Sequence, residues 1–219
     1  MSRLYGEVHR QVQDAQGTRK LADRIEEIAC KTEIDEDAKG FIEAQDMFFL
    51  STVDHLGRPT VSYKGGAPGF VRVVDATTLI FPIYDGNGMQ LSVGNMVGHA
   101  DVGMLFISFE RPHRIRLQGK SSVSQAAELL ALFQEAEFVV KIELSELWQN
   151  CPRYIHRFSR ESRSRYVPVA ACATPLADWK RFEFMQDVLS ERDAKRAQEV
   201  GFIQVEDWME KIKTGAPDV

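Results

Sequence analysis

Apolar and polar positions along this chain change rhythm twice, which divides it into a helical beginning, a β-rich middle and a helical end. In residues 1–46, Leu21, Ile25 and Ile28 recur at helical spacing, and Asp35 stands where it would cap a second helix carrying Phe41 and Ile42. From Met47 the period shortens toward two. The pattern predicts strands over 47–53, 60–64, 70–74, 78–83, 102–109, 114–123 and 138–144, with a helix over 126–133. A glycine-rich turn, Asp85-Gly86-Asn87-Gly88, and a short segment to Gly98 separate the fourth and fifth of these strands. Six or seven short strands at close spacing argue for a barrel or sandwich rather than a doubly wound parallel sheet.

The last third is predicted as a helical covering. Cys151-Pro152 is read as opening a short helix, and Thr174-Pro175 as an N-cap with proline at the first helical position. Trp179, Phe182, Met185 and Leu189 would then share one helical face. A further helix ends near Gly201 and another spans 205–213. The expected organisation is an N-terminal helical segment (1–46) packed on a barrel domain (47–145), followed by a C-terminal helical extension (146–219).

Composition narrows the class. With 44% apolar and 27% charged residues in 219, the chain reads as an ordinary globular protein. No apolar run approaches the roughly 18 residues of a membrane span, and the polar first twenty residues lack a signal-peptide core, so a cytoplasmic address is expected. A net charge of −5 argues against a broad nucleic-acid surface. Cys30, Cys151 and Cys172 are odd in number and widely spaced, which argues against a disulfide framework or a structural zinc. His9, His55, His99, His113 and His156 show no ligand spacing, so no metal site is expected. Nucleotide-binding GxGxxG and P-loop patterns and the nucleophile GxSxG are absent.

Four stretches carry candidate chemistry. On the strand 114–118, Arg114, Arg116 and Gln118 alternate with Ile115 and Leu117, so two guanidinium groups stand roughly 7 Å apart on one face. That suits a phosphate or carboxylate, although a solvated outer face has the same pattern. On the strand 60–64, Thr60, Ser62 and Lys64 face opposite Val61 and Tyr63, a lysine among hydroxyls. The stretch Gly65-Gly66-Ala67-Pro68-Gly69 is rich enough in glycine to let backbone approach a ligand or another chain closely, although a long strand connection has the same composition, and Gly86-Asn87-Gly88 offers backbone N–H groups to an anion.

Taken in order, FFLSTVDHLGRPTVSYKGGAPGF, TLIFPIYDGNGMQLSVGN and VGMLFISFERPHRIRLQGKSSV resemble the FMN-binding split-barrel superfamily related to pyridoxamine 5′-phosphate oxidase. The resemblance covers roughly residues 40–160 and includes the R-x-R-x-x-G pattern of Arg114, Arg116 and Gly119. It implies a mainly β fold with flanking helices, a six-stranded split β-barrel, and a homodimer with FMN at the interface. By position it implies cofactor contacts from Pro59, Thr60, Val61, Ser62 and Lys64, from Phe81 and Pro82, from Asn87 and Gly88, and from Arg114 and Arg116. Two departures accompany it. Gly86, Asn87 and Gly88 stand where the oxidase carries a Ser-Arg-Lys phosphate clamp, and Trp179-Lys180-Arg181 does not reproduce its C-terminal substrate signature. Oxidation of pyridoxamine phosphate is therefore not implied. What is expected is an FMN-dependent oxidoreductase acting on another small molecule. The alternative is a non-catalytic flavin- or haem-binding protein on the same barrel, with His113 or His156 as axial candidates.

Overall fold

The computed structural model describes residues 2–216, which divide into two compact units between Glu161 and Ser162. In the first unit, α1 (Glu7–Ala15) and α2 (Arg19–Ala29) precede a two-residue strand β1 (Cys30–Lys31) and α3 (Glu36–Ala44). The strands β2 (Met47–Val53), β3 (Pro59–Gly65), β4 (Arg72–Asp75) and β5 (Thr78–Ile83) follow. Helix α4 (Leu91–Gly98), strands β6 (Asp101–Ser108) and β7 (His113–Ser124), the single turn α5 (Ala127–Leu130) and β8 (Phe138–Asn150) complete the unit.

All strands belong to one antiparallel sheet of order β3-β2-β6-β7-β8-β5-β4, with β1 paired to β8. Three strands separate β2 from β5 in that order. Yet Phe48 on β2 and Phe81 on β5 place their ring centroids 5.0 Å apart, edge to face, and Phe48 also meets Phe70 and Phe106 at 5.8 and 5.2 Å. A flat sheet would hold those rings about 19 Å apart. The sheet therefore curls around its inward side chains into a barrel that stays open between edge strands β3 and β4. This is the expected split-barrel class, with seven strands on the path and β1 as an eighth.

The alternation of β2 follows the curl: Phe48, Leu50 and Thr52 are buried while Met47, Phe49, Ser51 and Val53 are partly exposed. β5 is buried on both faces, Leu79 and Phe81 toward the barrel core and Ile80 against Phe133 and Val139 outside it. Its near-continuous apolar run reflects that double cover. Asp35 caps α3 by accepting from Ala38 N at 2.9 Å, as its position in the sequence predicts. Leu21, Ile25 and Ile28 lie on α2, and neither α1 nor α2 buries a residue. Their anchorage is polar: Arg10 pairs with Asp23 at 2.6 Å, and Arg3 reaches Glu146 on β8 at 2.8 Å.

Several local expectations give way to packing. The segment 91–98 is a helix rather than an irregular stretch. The predicted helix over 126–133 stops after one turn at Leu130 so that Phe133 can tuck under β5. No helix opens at Cys151-Pro152, because residues 151–160 bury nothing against which a helix could pack. In the second unit, the Thr174-Pro175 helix is replaced by two 3₁₀ turns, Asp178–Arg181 and Glu183–Met185. The tighter turn directs Asp178 and Lys180 inward. Asp178 meets Arg181 at 2.8 Å, and Lys180 meets Asp193 of α6 (Glu191–Val200) at 2.8 Å. Helix α7 (Val205–Thr214) sets Trp208 edge-on to Phe182 at 5.5 Å. Among the described residues no helix is long and apolar enough to cross a membrane.

Candidate functional site

Beside the edge of the barrel, β3, the end of β5 and the start of α4 enclose a cavity of about 280 Å³. The alternation of β3 prepares it. Val61 and Tyr63 are 70% and 62% exposed on one face, while Ser62 and Lys64 turn to the other and line the cavity. The third member of that face, Thr60, lies half-buried under α4.

Helix α4 has weak intrinsic support, since Gly94 and Gly98 lie among its eight residues. Two side chains one turn apart tie it down. Asn95 is buried and donates from Nδ2 to Thr52 Oγ1 at 3.0 Å and to Thr60 Oγ1 at 3.2 Å, and those hydroxyls meet each other at 2.8 Å. Ser92 Oγ lies 3.2 Å from Ser62 Oγ and accepts from Lys64 Nζ at 3.2 Å. The helix is thereby pinned across β2 and β3, with its first turn at the cavity. Replacing Asn95 with leucine, similar in volume, is expected to lower stability by about 1–3 kcal/mol by stripping the hydroxyl pair of its donor. A urea midpoint equal to that of the parent protein would show that the amide does not anchor the helix.

The start of α4 is open to an anion. Its N-cap, Gln90, adopts a left-handed conformation (φ 48°, ψ 26°) and supplies no side-chain cap. Leu91, Ser92 and Val93 line the cavity at the end of the helix where unpaired N–H groups and the helix dipole favour negative charge. Ahead of it, Gly88 has φ 75°, a region that strains any L side chain. Asn87 accepts from Met89 N at 3.1 Å, so its amide shapes the turn rather than pointing at a ligand.

Lys64 is the cation of the site. It is half-buried, and among the described residues no carboxylate pairs with it. Burial pushes its pKa below the ordinary lysine value, because the charged form loses hydration without gaining a counter-ion. The Tyr84 phenol, also on the cavity wall, is pushed up by burial and remains a protonated donor at neutral pH.

The structure thus brings together Ser62, Lys64, Asn87 and Gly88 of the residues expected from the sequence. Others lie elsewhere. Pro59 is exposed at the start of β3, and Val61 faces away from the cavity. The Phe81 side chain is wholly enclosed in the barrel core and Pro82 is buried, so neither presents a side chain to the cavity; their neighbours Ile83 and Tyr84 do. Arg114 and Arg116 sit on β7, separated from β3 by β2 and β6, about 14 Å along the sheet. Arg116 is exposed, and Arg114 Nε is shielded without a hydrogen-bond partner. Ser92, Tyr84 and the start of α4 were not apparent in the sequence. The one available signal was the glycine turn leading into 91–98. Among the described residues, no cluster of three or more His, Cys, Asp or Glu side chains is arranged to hold a metal ion.

An antiparallel barrel open at one seam, with an uncapped helix start and a lysine beside that seam, defines the split-barrel class. The chain belongs to the pyridoxamine 5′-phosphate oxidase family, whose family model, described as Pyridoxamine 5'-phosphate oxidase, matches residues 34–150, from the approach to α3 through the end of β8. Among solved structures, HupZ of Group A Streptococcus is 19% identical, covering 53% of this chain and 93% of that one, with a TM-score of 0.44. An FMN-binding protein from Syntrophomonas wolfei subsp. wolfei is 12% identical over 63% of this chain and 96% of its own, with a TM-score of 0.41. General Stress Protein 26 from Bacillus anthracis is 15% identical over 50% and 88%, with a TM-score of 0.40. At these scores the likeness is to part of the chain and assigns no ligand to it. No curated protein sequence matches the chain.

Proposed function

We propose that this protein binds FMN, with the cofactor phosphate against Lys64, Ser62, Ser92 and the first turn of α4, and that it serves as an FMN-dependent oxidoreductase for a small molecule. The observation that carries this reading is Lys64, a half-buried ammonium with hydroxyl neighbours and no counter-ion, beside an uncapped helix start. A buried charge of this kind calls for an opposite charge from outside the chain. The residues fit a phosphate: two hydroxyls, one cation, and N–H groups from α4 and the turn at Gly88. FMN, when bound, supplies hydride and single-electron chemistry. The chain's own residues bind and orient it, with the Tyr84 hydroxyl as a neutral donor beside the ligand.

A cavity of about 280 Å³ lies just under the roughly 300–1,000 Å³ of sites that enclose a whole small-molecule ligand. In the proposed arrangement a second copy of the chain closes the remainder, and Arg114 and Arg116 act on the partner's cofactor rather than on their own. Pyridoxamine phosphate is not the proposed substrate. The two cations of Trp179-Lys180-Arg181 are neutralised by Asp193 and Asp178, which leaves them nothing to offer a second phosphate.

Titration with FMN and with riboflavin, which lacks the phosphate, tests the site. FMN is expected to bind at least about tenfold more tightly, the worth of one charge-assisted hydrogen bond. Equal affinities would overturn the phosphate assignment. The dimer is tested separately by sedimentation, where twice the 24.8 kDa chain mass is expected at micromolar concentration. A stable monomer would remove the second wall.

A further inference from the structure

A second and larger cavity, about 560 Å³, opens at the end of the barrel between the end of α2, the start of α3 and the adjoining ends of β7 and β8. It shares no lining residue with the cavity at Lys64. Its floor is apolar, where Ile115, Leu147 and Ala38 reach up from the barrel core.

The polar groups that β7 and β8 present above that floor are neutral. The His113 ring packs edge-on to Phe41 with centroids 4.3 Å apart, and Gln149 Nε2 lies 3.3 Å from His113 Nδ1. A carboxamide nitrogen only donates, so Nδ1 accepts and the neutral ring carries its proton on Nε2. Burial favours that neutral ring by pushing the imidazole pKa down. Gln149 Oε1 remains as an acceptor. Asn150 also lines the cavity, and its Oδ1 is shielded from solvent with no hydrogen-bond partner among the described residues. The one lysine on the rim, Lys31, is ion-paired with Asp35, and the Asp37 carboxylate on the same rim repels anions.

We propose that this cavity is a second small-molecule site, for a neutral planar heterocycle bearing a carboxamide-like edge. The apolar floor receives the ring face. The imidazole N–H and the Gln149 carbonyl meet its edge, as carboxamide side chains meet the amide edges of bases. The absence of an unpaired cation on the described lining disfavours a phosphorylated or carboxylated ligand.

The test uses nicotinamide and its anionic counterpart nicotinate as probes of the 219-residue chain, followed by ligand-observed NMR titration. Nicotinamide is expected to bind saturably, and nicotinate at least about tenfold more weakly. Gln149→Leu, at an exposed strand end, and His113→Phe, which keeps the ring packing on Phe41, should each weaken nicotinamide about three- to tenfold with circular dichroism unchanged. Lys64→Met should leave nicotinamide affinity as it was, which separates this site from the proposed flavin site. The proposal fails if nicotinamide does not saturate, if nicotinate binds equally well, or if the folded Gln149 and His113 variants bind like the parent. It also fails if Lys64→Met abolishes binding, because the probe would then be occupying the other cavity.

Discussion

Lys64→Met is expected to weaken FMN binding about tenfold to a hundredfold while leaving the cofactor-free protein at least as stable as the parent. The two effects have one origin. Lys64 is half-buried and no carboxylate among the described residues pairs with it, so its charge costs the empty protein some hydration that an arriving anion offsets. Losing a charge-assisted bond costs about 1.5–3 kcal/mol of binding, whereas a methionine stem keeps the packing of the lysine chain. The pH dependence follows with a definite sign. Because burial lowers the pKa of Lys64, the ammonium is present at neutral pH and is lost as pH rises, before free lysine would titrate. The preference for FMN over riboflavin should therefore be full at neutral pH and shrink as the solution is made alkaline. In Lys64→Met it should be small and insensitive to that change. Fluorescence titration of both ligands against both proteins reads all of this. An unchanged FMN affinity in the folded variant, or a preference that grows with pH, would place the phosphate elsewhere.

The second large effect concerns stability. Gly119→Ala is expected to cost about 2–3 kcal/mol. Gly119 sits at an irregularity in the pairing of β7 with β8, and a Cβ there would stand 2.4 Å from the Glu143 carbonyl oxygen and 2.9 Å from Ile142 Cγ2. The first of these is backbone of a central strand and cannot swing aside. Gly103→Ala on neighbouring β6 is the control, since its Cβ would meet only Ser51 Cβ at 3.7 Å. For a chain of this length the Gly119 variant should melt roughly 4–12 °C below the parent, and the Gly103 variant close to it. If the two glycines respond alike, the crowding at Gly119 is relieved by local shifts. In the sequence Gly119 is the last residue of R-x-R-x-x-G. The structure assigns that glycine to packing rather than to a ligand.

This division of roles marks what could be read from the sequence. Short apolar runs bounded by turn residues give β2 and β5 at their observed bounds, and period-two alternation puts Ser62 and Lys64 on one face, because each side chain's burial is set by its own strand. The glycines at 65–69 serve a local connection instead: a Cβ on Gly66 would lie 2.3 Å from the ring of Phe70, four residues on. Helix α4 was not legible, since Gly94 and Gly98 weaken its local preference and its stability comes from Asn95 meeting Thr52 and Thr60, far off in the chain. Ser92 was hidden for the same reason. The stretch after Thr174 was misread as α-helical because its capping signal was sound while the need to turn Asp178 and Lys180 toward charged partners was not visible. Arg114 and Arg116 show the same one-sided polar alternation as Ser62 and Lys64 but lie on β7, away from the cavity, a distinction that period-two reasoning cannot make.

The ring of Phe48 has a consequence for how the protein acquires its shape. β2 emerges early in the chain, yet it pairs with β6, and Phe48 needs Phe81 and Phe106 around it. The hairpin of β2 with β3 and the pair β7 and β8 can each zip together locally, whereas joining β2 to β6 must wait for the later strands. Closing the barrel therefore rests on contacts between distant parts of the chain, whose loop-closure entropy slows the search. Refolding should run in milliseconds to seconds, not microseconds. A nascent chain released before β6 is made would leave one edge of β2 unpaired and Phe48 without Phe106, an exposed apolar strand of the kind that chaperones bind.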